Sequence, residues 1–209
     1  MAYRVLTIDR ELGSGGGLIA KKIAAWLGWK LFDEDLVAAI AAAAHVDAQV
    51  VSQYDEQSNT VLKRMAARPM RSGVNPINPI DTTPEKPHFF DADRMTELTR
   101  KVVEEAHIKG NCVLVGRGAQ CILQHKADVF RAFVYAPFSE RAHRLQLRLP
   151  PGVNVEQRIR TVDQERAEFL MQRFGKNWTN PQLYNLMLSS SENEDRTARV
   201  LLYAMTGQL

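Results

Sequence analysis

Residues 5–28 of the chain read VLTIDRELGSGGGLIAKKIAAWLG and predict a strand, a glycine-rich turn and a helix in succession. Val5 to Ile8 is short, apolar and rich in β-branched residues, which is typical of a buried strand. The helix predicted over 18–27 has apolar side chains at helical spacing and ends at Gly28. Three consecutive glycines at a helix start cost roughly 1 kcal/mol each relative to alanine, and this cost indicates that the glycines have a function. Such a turn can point successive N–H groups at a phosphate, so anion binding is favoured over a flexible turn without a ligand.

Two phosphate-binding motifs compete for this turn. The dinucleotide fingerprint G-x-G-x-x-G needs a third glycine where Leu18 stands, although Asp33 follows Gly13 by 20 residues, as a ribose-binding acid would. The motif G-x-x-x-x-G-K-[ST] fits the spacing better, but its lysine falls on Gly16 and its magnesium-binding hydroxyl on Gly17. The predicted phosphate-binding residues are therefore those of a loop without the usual lysine, namely Gly13, Ser14, Gly15, Gly16 and Gly17.

Strands and helices alternate along the rest of the chain. Further strands are predicted at residues 30–32, 111–115, 130–135 and 186–189, with helices at 36–44, 93–107, 137–147, 155–174 and 195–205. This alternation predicts an α/β fold, a parallel five-stranded sheet with helices on both faces. Prolines crowd residues 68–90, which predicts a long loop or flap there.

Composition limits the class of protein. The 209 residues fit one domain, and the excess of 27 basic over 24 acidic side chains is too small to indicate nucleic-acid binding. No apolar run is long enough to span a bilayer, so no membrane association is expected. Two cysteines in apolar surroundings and the absence of a signal peptide predict a cytoplasmic protein.

Eight segments that run in order along the chain form one pattern: Thr7–Gly17, Leu27–Asp33, the pair Asp55-Glu56, Val113–Gly118, Ser139–Ala142, Asp163–Arg166, Asn177-Trp178 and Tyr184-Asn185. Together they resemble the cytidylate-kinase-like family, a branch of the nucleoside monophosphate (NMP) kinases. The resemblance implies a P-loop NTPase-type fold with an NMP-binding insertion, here residues 47–92, and a helical lid, here residues 150–180. Within this single domain, residues 1–209, it implies ATP and Mg²⁺ as cofactors and a nucleotide as substrate.

The resemblance also suggests residues for the acceptor side of the site. Arg117 follows a predicted buried strand, at the sheet edge where ligands of open α/β sheets collect, and the matching position in cytidylate kinases contacts the acceptor nucleotide. A solvated loop arginine is the alternative. Asp33 is expected near the metal or substrate, or as a helix cap. Only the family pattern suggests acceptor contacts for Asp55 and Glu56.

Arginines are expected to surround the phosphates, because phosphoryl transfer depends on positive charge and little covalent chemistry. Arg10 occupies the first-glycine position of an ordinary P-loop, and we expect its guanidinium to replace the missing lysine; an ion pair with a neighbouring acid is the alternative. Arg166, a catalytic candidate, and Arg158 share one face of the predicted lid helix. The alternative is that this is an ordinary, solvent-exposed charged helix face. Asp163 is expected to orient Arg166 from three residues before it. Asp9, at the end of the first predicted strand, is a candidate metal ligand.

The sequence therefore predicts an ATP- and Mg²⁺-dependent kinase whose leading acceptor is CMP or dCMP. One alternative is a regulatory protein that binds nucleotide without turnover, favoured by Gly16 and Gly17 in place of the lysine and hydroxyl. Another is a kinase for a different small acceptor. Monomer and homo-oligomer are both compatible with the sequence.

Overall fold

The computed structural model describes residues 3–33, 40–41 and 92–207. Its strands are β1 (Val5–Arg10), β2 (Lys30–Phe32), β3 (Cys112–Val115), β4 (Val129–Tyr135) and β5 (Leu186–Ser189). Its helices are α1 (Gly16–Leu27), α2 (Ala92–Lys109), α3 (Ala119–Ile122), α4 (Phe138–Gln146), α5 (Val155–Phe174) and α6 (Glu194–Thr206), with a short 3-10 turn at Pro181–Leu183.

The five strands form one parallel sheet in the order β2-β3-β1-β4-β5. β1 lies at the centre, where Ile8 stands opposite Val115 of β3 and Ala132 of β4. Because all strands run in the same direction, the residues that follow them meet at one edge of the sheet. The glycine loop, Asp33, the segment after β3 and the segment after β5 therefore share that edge.

Both faces of the sheet are buried, because side chains alternate between two apolar layers. Val5 joins a core with α2 and α3 that includes Leu98 and Leu114. Leu6 and Ile8 face the opposite side, against apolar residues of α1 and α6. Each fully buried aliphatic side chain contributes roughly 1.5–3 kcal/mol to folding, so both helical layers hold the sheet firmly.

The predicted α/β fold is confirmed, with five parallel strands and helices on both faces. One difference is that α1 begins within the glycines, at Gly16 instead of residue 18, because Gly15 forms the N-cap with φ +80°. The short α3 after β3 was not predicted, since four residues carry too little periodicity. Of the helix predicted at 36–44, residues 40 and 41 are helical.

Two other predicted features lie mostly or wholly outside the residues that the structure describes. The NMP-binding insertion lies outside the described residues apart from residue 92, and so does the proline-rich loop at 68–90. In the part of the chain that the structure describes, no helix is both long and apolar enough to cross a membrane.

Candidate active site

The glycine loop connects β1 to α1 at the carboxyl edge of the sheet. Gly13 and Gly15 have φ values of +81° and +80°, a left-handed conformation that glycine adopts without steric cost. Space is also limiting, since a Cβ at position 13 would lie 2.9 Å from the Arg141 carbonyl oxygen. At position 15 it would lie 2.7 Å from Glu194 Cγ. Ser14 closes the turn through a hydrogen bond from its Oγ to the Glu11 carbonyl at 2.8 Å.

Arg10 occupies the space beside Gly16. A Cβ at position 16 would lie 2.5 Å from Arg10 Cβ and 2.9 Å from Arg10 Cγ, closer than carbon atoms approach in folded proteins. Gly16 has no positive φ, so its backbone would accept a side chain if the Arg10 stem were absent. The position that holds lysine in ordinary P-loops is thus glycine here because an arginine stem fills the space above it.

Arg141 of α4 holds the first half of the loop. Its Nη1 donates to the Leu12 carbonyl at 3.1 Å and lies 2.5 Å from Asp163 Oδ2, while its Nε lies 3.2 Å from Glu11 Oε2. Asp163 Oδ1 accepts a hydrogen bond from the Leu12 N–H at 2.8 Å. Burial raises the pKa of Glu11 above its usual value, although Arg141 opposes the shift. The expected pairing of Asp163 with Arg166 is replaced by a pair with Arg141, because α5 packs against α4 beside the loop.

Arg144 and Ser190 hold the second half of the loop. Ser190 Oγ and Arg144 Nη1 both donate to the Ser14 carbonyl, and Arg144 Nη2 donates to the Ser190 carbonyl at 2.6 Å. Ser14 and Ser190 are fully buried, so these bonds are shielded from water. An open pocket of about 410 Å³ adjoins them, lined by Ser139, Glu140, His143, Arg144 and Ser191.

The segment after β3 is a tight turn that contains Arg117. Gly116, Arg117 and Gly118 have φ values of +69°, +56° and +71° in succession. Arginine in this conformation costs about 1–2 kcal/mol, and such strain collects at functional sites. Arg117 is 7% exposed, and a Cβ on Gly118 would lie 2.3 Å from the Phe174 ring at the end of α5. The turn is thus fixed between β3 and α5, at the edge where the glycine loop lies.

Asp9 is buried among hydrogen-bond donors. Its Oδ2 accepts from Gln120 Nε2 at 2.7 Å and from Trp178 Nε1 at 2.8 Å, and the Tyr184 hydroxyl, which donates to the Trp178 carbonyl at 2.9 Å, lies 3.3 Å from the same oxygen. Its Oδ1 accepts from the Arg10 N–H at 2.9 Å. Burial and the Asp9 charge raise the pKa of Tyr184 far above its usual value, so this hydroxyl remains a donor. A metal ion at Asp9 would have to displace these donors. The surroundings of Asp9 therefore suit a buried carboxylate that holds the structure better than a metal ligand.

The arginines of α5 have different surroundings. Arg166 is buried and its Nη1 donates to the Arg10 carbonyl at 2.8 Å, at the end of β1 where the loop begins. Arg158 lies on the exposed first turn of α5, where Asn154 caps the helix. Arg173 forms an ion pair with Asp93 at the start of α2. The structure brings Arg166 to the glycine loop and leaves Arg158 solvent-exposed.

Asp33 follows β2 at the same sheet edge. Its Oδ2 is 3.5 Å from the position that a Cβ on Gly17 would take, which places this carboxylate beside the first turn of α1. Asp55 and Glu56 lie outside the described residues. Among the described residues, no group of three or more His, Cys, Asp or Glu side chains is arranged to hold a metal ion.

A family model now identifies this architecture. The model described as the cytidylate kinase-like family matches residues 5–192, which include every strand and the whole site. The chain belongs to the cytidylate kinase-like family. No curated protein matches the chain.

Solved structures share the fold of this cytidylate kinase-like protein. An uncharacterized protein from Eubacterium ventriosum has a TM-score of 0.65 at 19% identity, with 98% of each chain covered. Shikimate kinase from Acinetobacter baumannii has a TM-score of 0.51 at 13% identity, covering 96% of this chain and 92% of that one. Shikimate kinase from Bacteroides thetaiotaomicron has a TM-score of 0.51 at 15% identity, covering 95% and 93%. At these identities the likeness shows a kinase fold and leaves the substrate unspecified.

Several residues on other elements hold the loop and Asp9, and the sequence alone did not single them out. These are Arg141, Arg144, Ser190, Gln120, Trp178 and Tyr184. Three of them, Arg141, Trp178 and Tyr184, lie in segments that match the family pattern, and this match was the available signal. Their partners are far away in the chain, so spacing alone does not reveal them.

Proposed function

We propose that this protein is a kinase that transfers the γ-phosphoryl group of ATP to a nucleoside monophosphate, with CMP or dCMP as the leading acceptor. Membership of the cytidylate kinase-like family and the fold of small-molecule kinases support the reaction class. The glycine loop at the start of α1 supports a bound phosphate, since its curled backbone and the helix N-terminus both favour an anion.

The contact between Arg10 and Gly16 is the observation that supports turnover most strongly. A P-loop that had simply lost its lysine would leave an empty position beside the phosphates. Here the Arg10 stem fills that position, with Cβ atoms that would be 2.5 Å apart. Arginine carries the same charge as lysine and binds phosphate through a planar fork of donors. In our proposal the Arg10 guanidinium therefore binds the β- and γ-phosphates in place of lysine.

The other site residues divide between donor and acceptor. In our proposal the loop from Gly13 to Gly17 cradles the donor phosphates, and the 410 Å³ pocket beside Arg144 accepts the donor nucleoside. Arg117 binds the acceptor phosphate from the strained turn after β3. The exposed Arg158 reaches the transferring group when the lid closes and water is excluded. Arg166 supports the loop from behind, through the Arg10 carbonyl.

Magnesium would be held mainly by the nucleotide. Gly17, at the position of the P-loop hydroxyl, provides none, and the oxygens of Asp9 already accept hydrogen bonds from the protein. Asp33 fits better, because its carboxylate lies beside the first turn of α1 and can act through water. Mg²⁺ bound with the nucleotide would supply charge neutralisation of the phosphates. Asp55 and Glu56 are proposed as contacts of the acceptor on the family pattern alone.

The test is a phosphotransfer assay on the purified full chain with Mg-ATP. The acceptor panel contains CMP, dCMP, UMP, AMP and GMP, with shikimate as a non-nucleotide acceptor. Arg117→Ala is the active-site variant, and Arg199→Ala removes an exposed arginine of α6 that stacks on Trp26 as the matched control. We expect transfer to CMP that Arg117→Ala lowers at least a hundredfold and Arg199→Ala leaves unchanged. ATP binding without transfer to any acceptor would instead indicate a regulatory nucleotide-binding protein, and transfer to shikimate alone a different kinase.

A further inference from the structure

We propose that Asp163 is a positioning residue for the donor nucleotide: it fixes the Leu12 peptide of the glycine loop and thereby couples nucleotide binding to α5. This inference rests on the proposed function, in which the glycine loop binds the donor phosphates. Asp163 lies in the middle of α5, within the segment proposed as the lid, so its contact with Leu12 joins these two parts of the site.

Both carboxylate oxygens of Asp163 accept hydrogen bonds from the protein. Oδ1 accepts from the Leu12 N–H at 2.8 Å, and Oδ2 accepts from Arg141 Nη1 at 2.5 Å. The same Nη1 donates to the Leu12 carbonyl at 3.1 Å. The N–H and the carbonyl of Leu12 are thus held by side chains of two different helices, α5 and α4. The Asp163 side chain is 17% exposed, so bulk water competes little for these bonds.

The residues around this contact are held close to the same two helices. The Leu12 side chain packs against an apolar cluster between α4 and α5 that includes Leu145 and Ile159. Gly13 follows with φ +81°, and a Cβ there would lie 2.9 Å from the Arg141 carbonyl oxygen. The loop is therefore ordered immediately before the glycines that are proposed to bind phosphate. A loop that is ordered in advance binds its ligand more tightly, because less conformational entropy is lost on binding.

Position 163 requires a carboxylate, because both of its partners are donors. An ionised carboxylate has two acceptor oxygens, whereas the side-chain amide of asparagine has one acceptor and one donor group. In one orientation of an asparagine at position 163, its NH₂ group would face the Leu12 N–H, and in the other it would face Arg141 Nη1. Asp163→Asn therefore breaks one of the two bonds with almost no change in shape.

The variant keeps the other contacts of both helices. Arg141 Nε lies 3.2 Å from Glu11 Oε2, so this buried cation retains a carboxylate partner when Asp163 is replaced by a neutral residue. On α5, Arg166 Nη1 still donates to the carbonyl of Arg10, the last residue of β1. α5 thus remains attached to the sheet, and the variant weakens its contact with the loop.

Coupling between the loop and α5 acts in both directions, because linkage between two sites is reciprocal. Mg-ATP bound in the loop would hold Leu12 in place, and Asp163 would transmit this restraint to the middle of α5. Amide hydrogens there would then exchange more slowly in the complex than in the free protein. An Asp163 with a structural role only would stabilise α5 equally with and without nucleotide.

The experiment measures hydrogen exchange of α5, with and without Mg-ATP, and the dissociation constant of Mg-ATP by calorimetry. Both are measured on the full chain, as wild type and as Asp163→Asn. Glu156→Gln is the matched control, because it changes an exposed carboxylate to an amide in the first turn of the same helix. Thermal melting verifies that each variant folds. Asp163→Ala, which places no donor against either partner, replaces Asp163→Asn if that variant does not fold.

We expect Mg-ATP to slow exchange in the middle of α5 about threefold or more in the wild type and in Glu156→Gln. In Asp163→Asn this slowing should be lost, and Mg-ATP should bind about tenfold more weakly. Equal slowing or equal affinity in Asp163→Asn and wild type would overturn the coupling, and so would binding to the wild type without slowing.

Neither measurement requires turnover, so these outcomes leave the proposed phosphotransfer to be judged by its own assay. Absence of Mg-ATP binding to the wild type would instead refute the proposed function, and this inference with it.

Discussion

Exchange of the residues at positions 10 and 16 is the sharpest test of how this loop binds phosphate. An ordinary P-loop has glycine where Arg10 stands and lysine where Gly16 stands. The structure explains why the two residues change together, because a Cβ at position 16 would lie 2.5 Å from Arg10 Cβ. We therefore predict that Arg10→Gly and Gly16→Lys are each harmful and that the double variant recovers much of the loss.

The magnitudes follow from the contacts. Carbon atoms pack best about 3.5–4.0 Å apart, so a 2.5 Å approach forces a shift of roughly 1 Å in two stems joined to the backbone. Such overpacking costs about 1–3 kcal/mol. Arg10→Gly has no such conflict, but it loses a charged phosphate contact of about 2–3 kcal/mol, near a hundredfold in kcat/KM for Mg-ATP. In the double variant the clash is absent and a cation returns.

The assay is kcat/KM for Mg-ATP with CMP as acceptor, together with the melting temperature of each variant. We expect the double variant to exceed Arg10→Gly at least tenfold. Gly16→Ala tests the steric part, and Gly17→Ala is its control, because a Cβ there would meet Asp33 Oδ2 at an ordinary 3.5 Å. Gly16→Ala should lower the melting temperature more than Gly17→Ala does. A double variant no better than Arg10→Gly would show that Arg10 does not stand in for lysine.

Two further predictions concern stability. Gly118→Ala should lower the free energy of unfolding by about 2–4 kcal/mol, because the new Cβ would meet the Phe174 ring at 2.3 Å in a backbone with φ +71°; urea denaturation measures it, and a change under 0.5 kcal/mol would contradict the packing. His107 and then Arg4 lower the pKa of Asp128 from 3.8 to about 2, so its stabilising contribution is complete above about pH 4 and is lost as the pH falls toward 2. Asp128→Asn should therefore flatten the fall in stability between those values, and equal slopes for variant and wild type would refute the pairing.

Much of the architecture follows from local pattern. Val5–Ile8 and Val113–Val115 are apolar and β-branched, so they predict buried strands, and the strands alternate with helices of ordinary length. Parallel order then places the ends of β1 and β3 at one edge, which brings the glycine loop and Arg117 together. The short α3 was missed because its stability comes from packing after the Arg117 turn rather than from its own four residues.

The supports of the site depend on distant contacts. Asp163 is three residues from Arg166 on the same helix, and local spacing pairs the two. In the folded chain Asp163 Oδ2 pairs with Arg141 Nη1 at 2.5 Å, because α4 and α5 pack together beside the loop. As an acid at a strand end, Asp9 is a candidate metal ligand by sequence, and burial against Trp178 gives it a different set of partners.

By itself, the sequence determined the parallel α/β fold, the glycine loop, the family and the absence of a lysine at position 16. Those features are local, since each is expressed by neighbouring residues or by their periodicity. The tertiary structure decided that Arg10 fills the space above Gly16, that Arg117 is held in a strained turn and that Asp9 faces Gln120 and Trp178. The two Asp9 contacts join residues more than a hundred positions apart, and only the packing of helices on the sheet brings their atoms together.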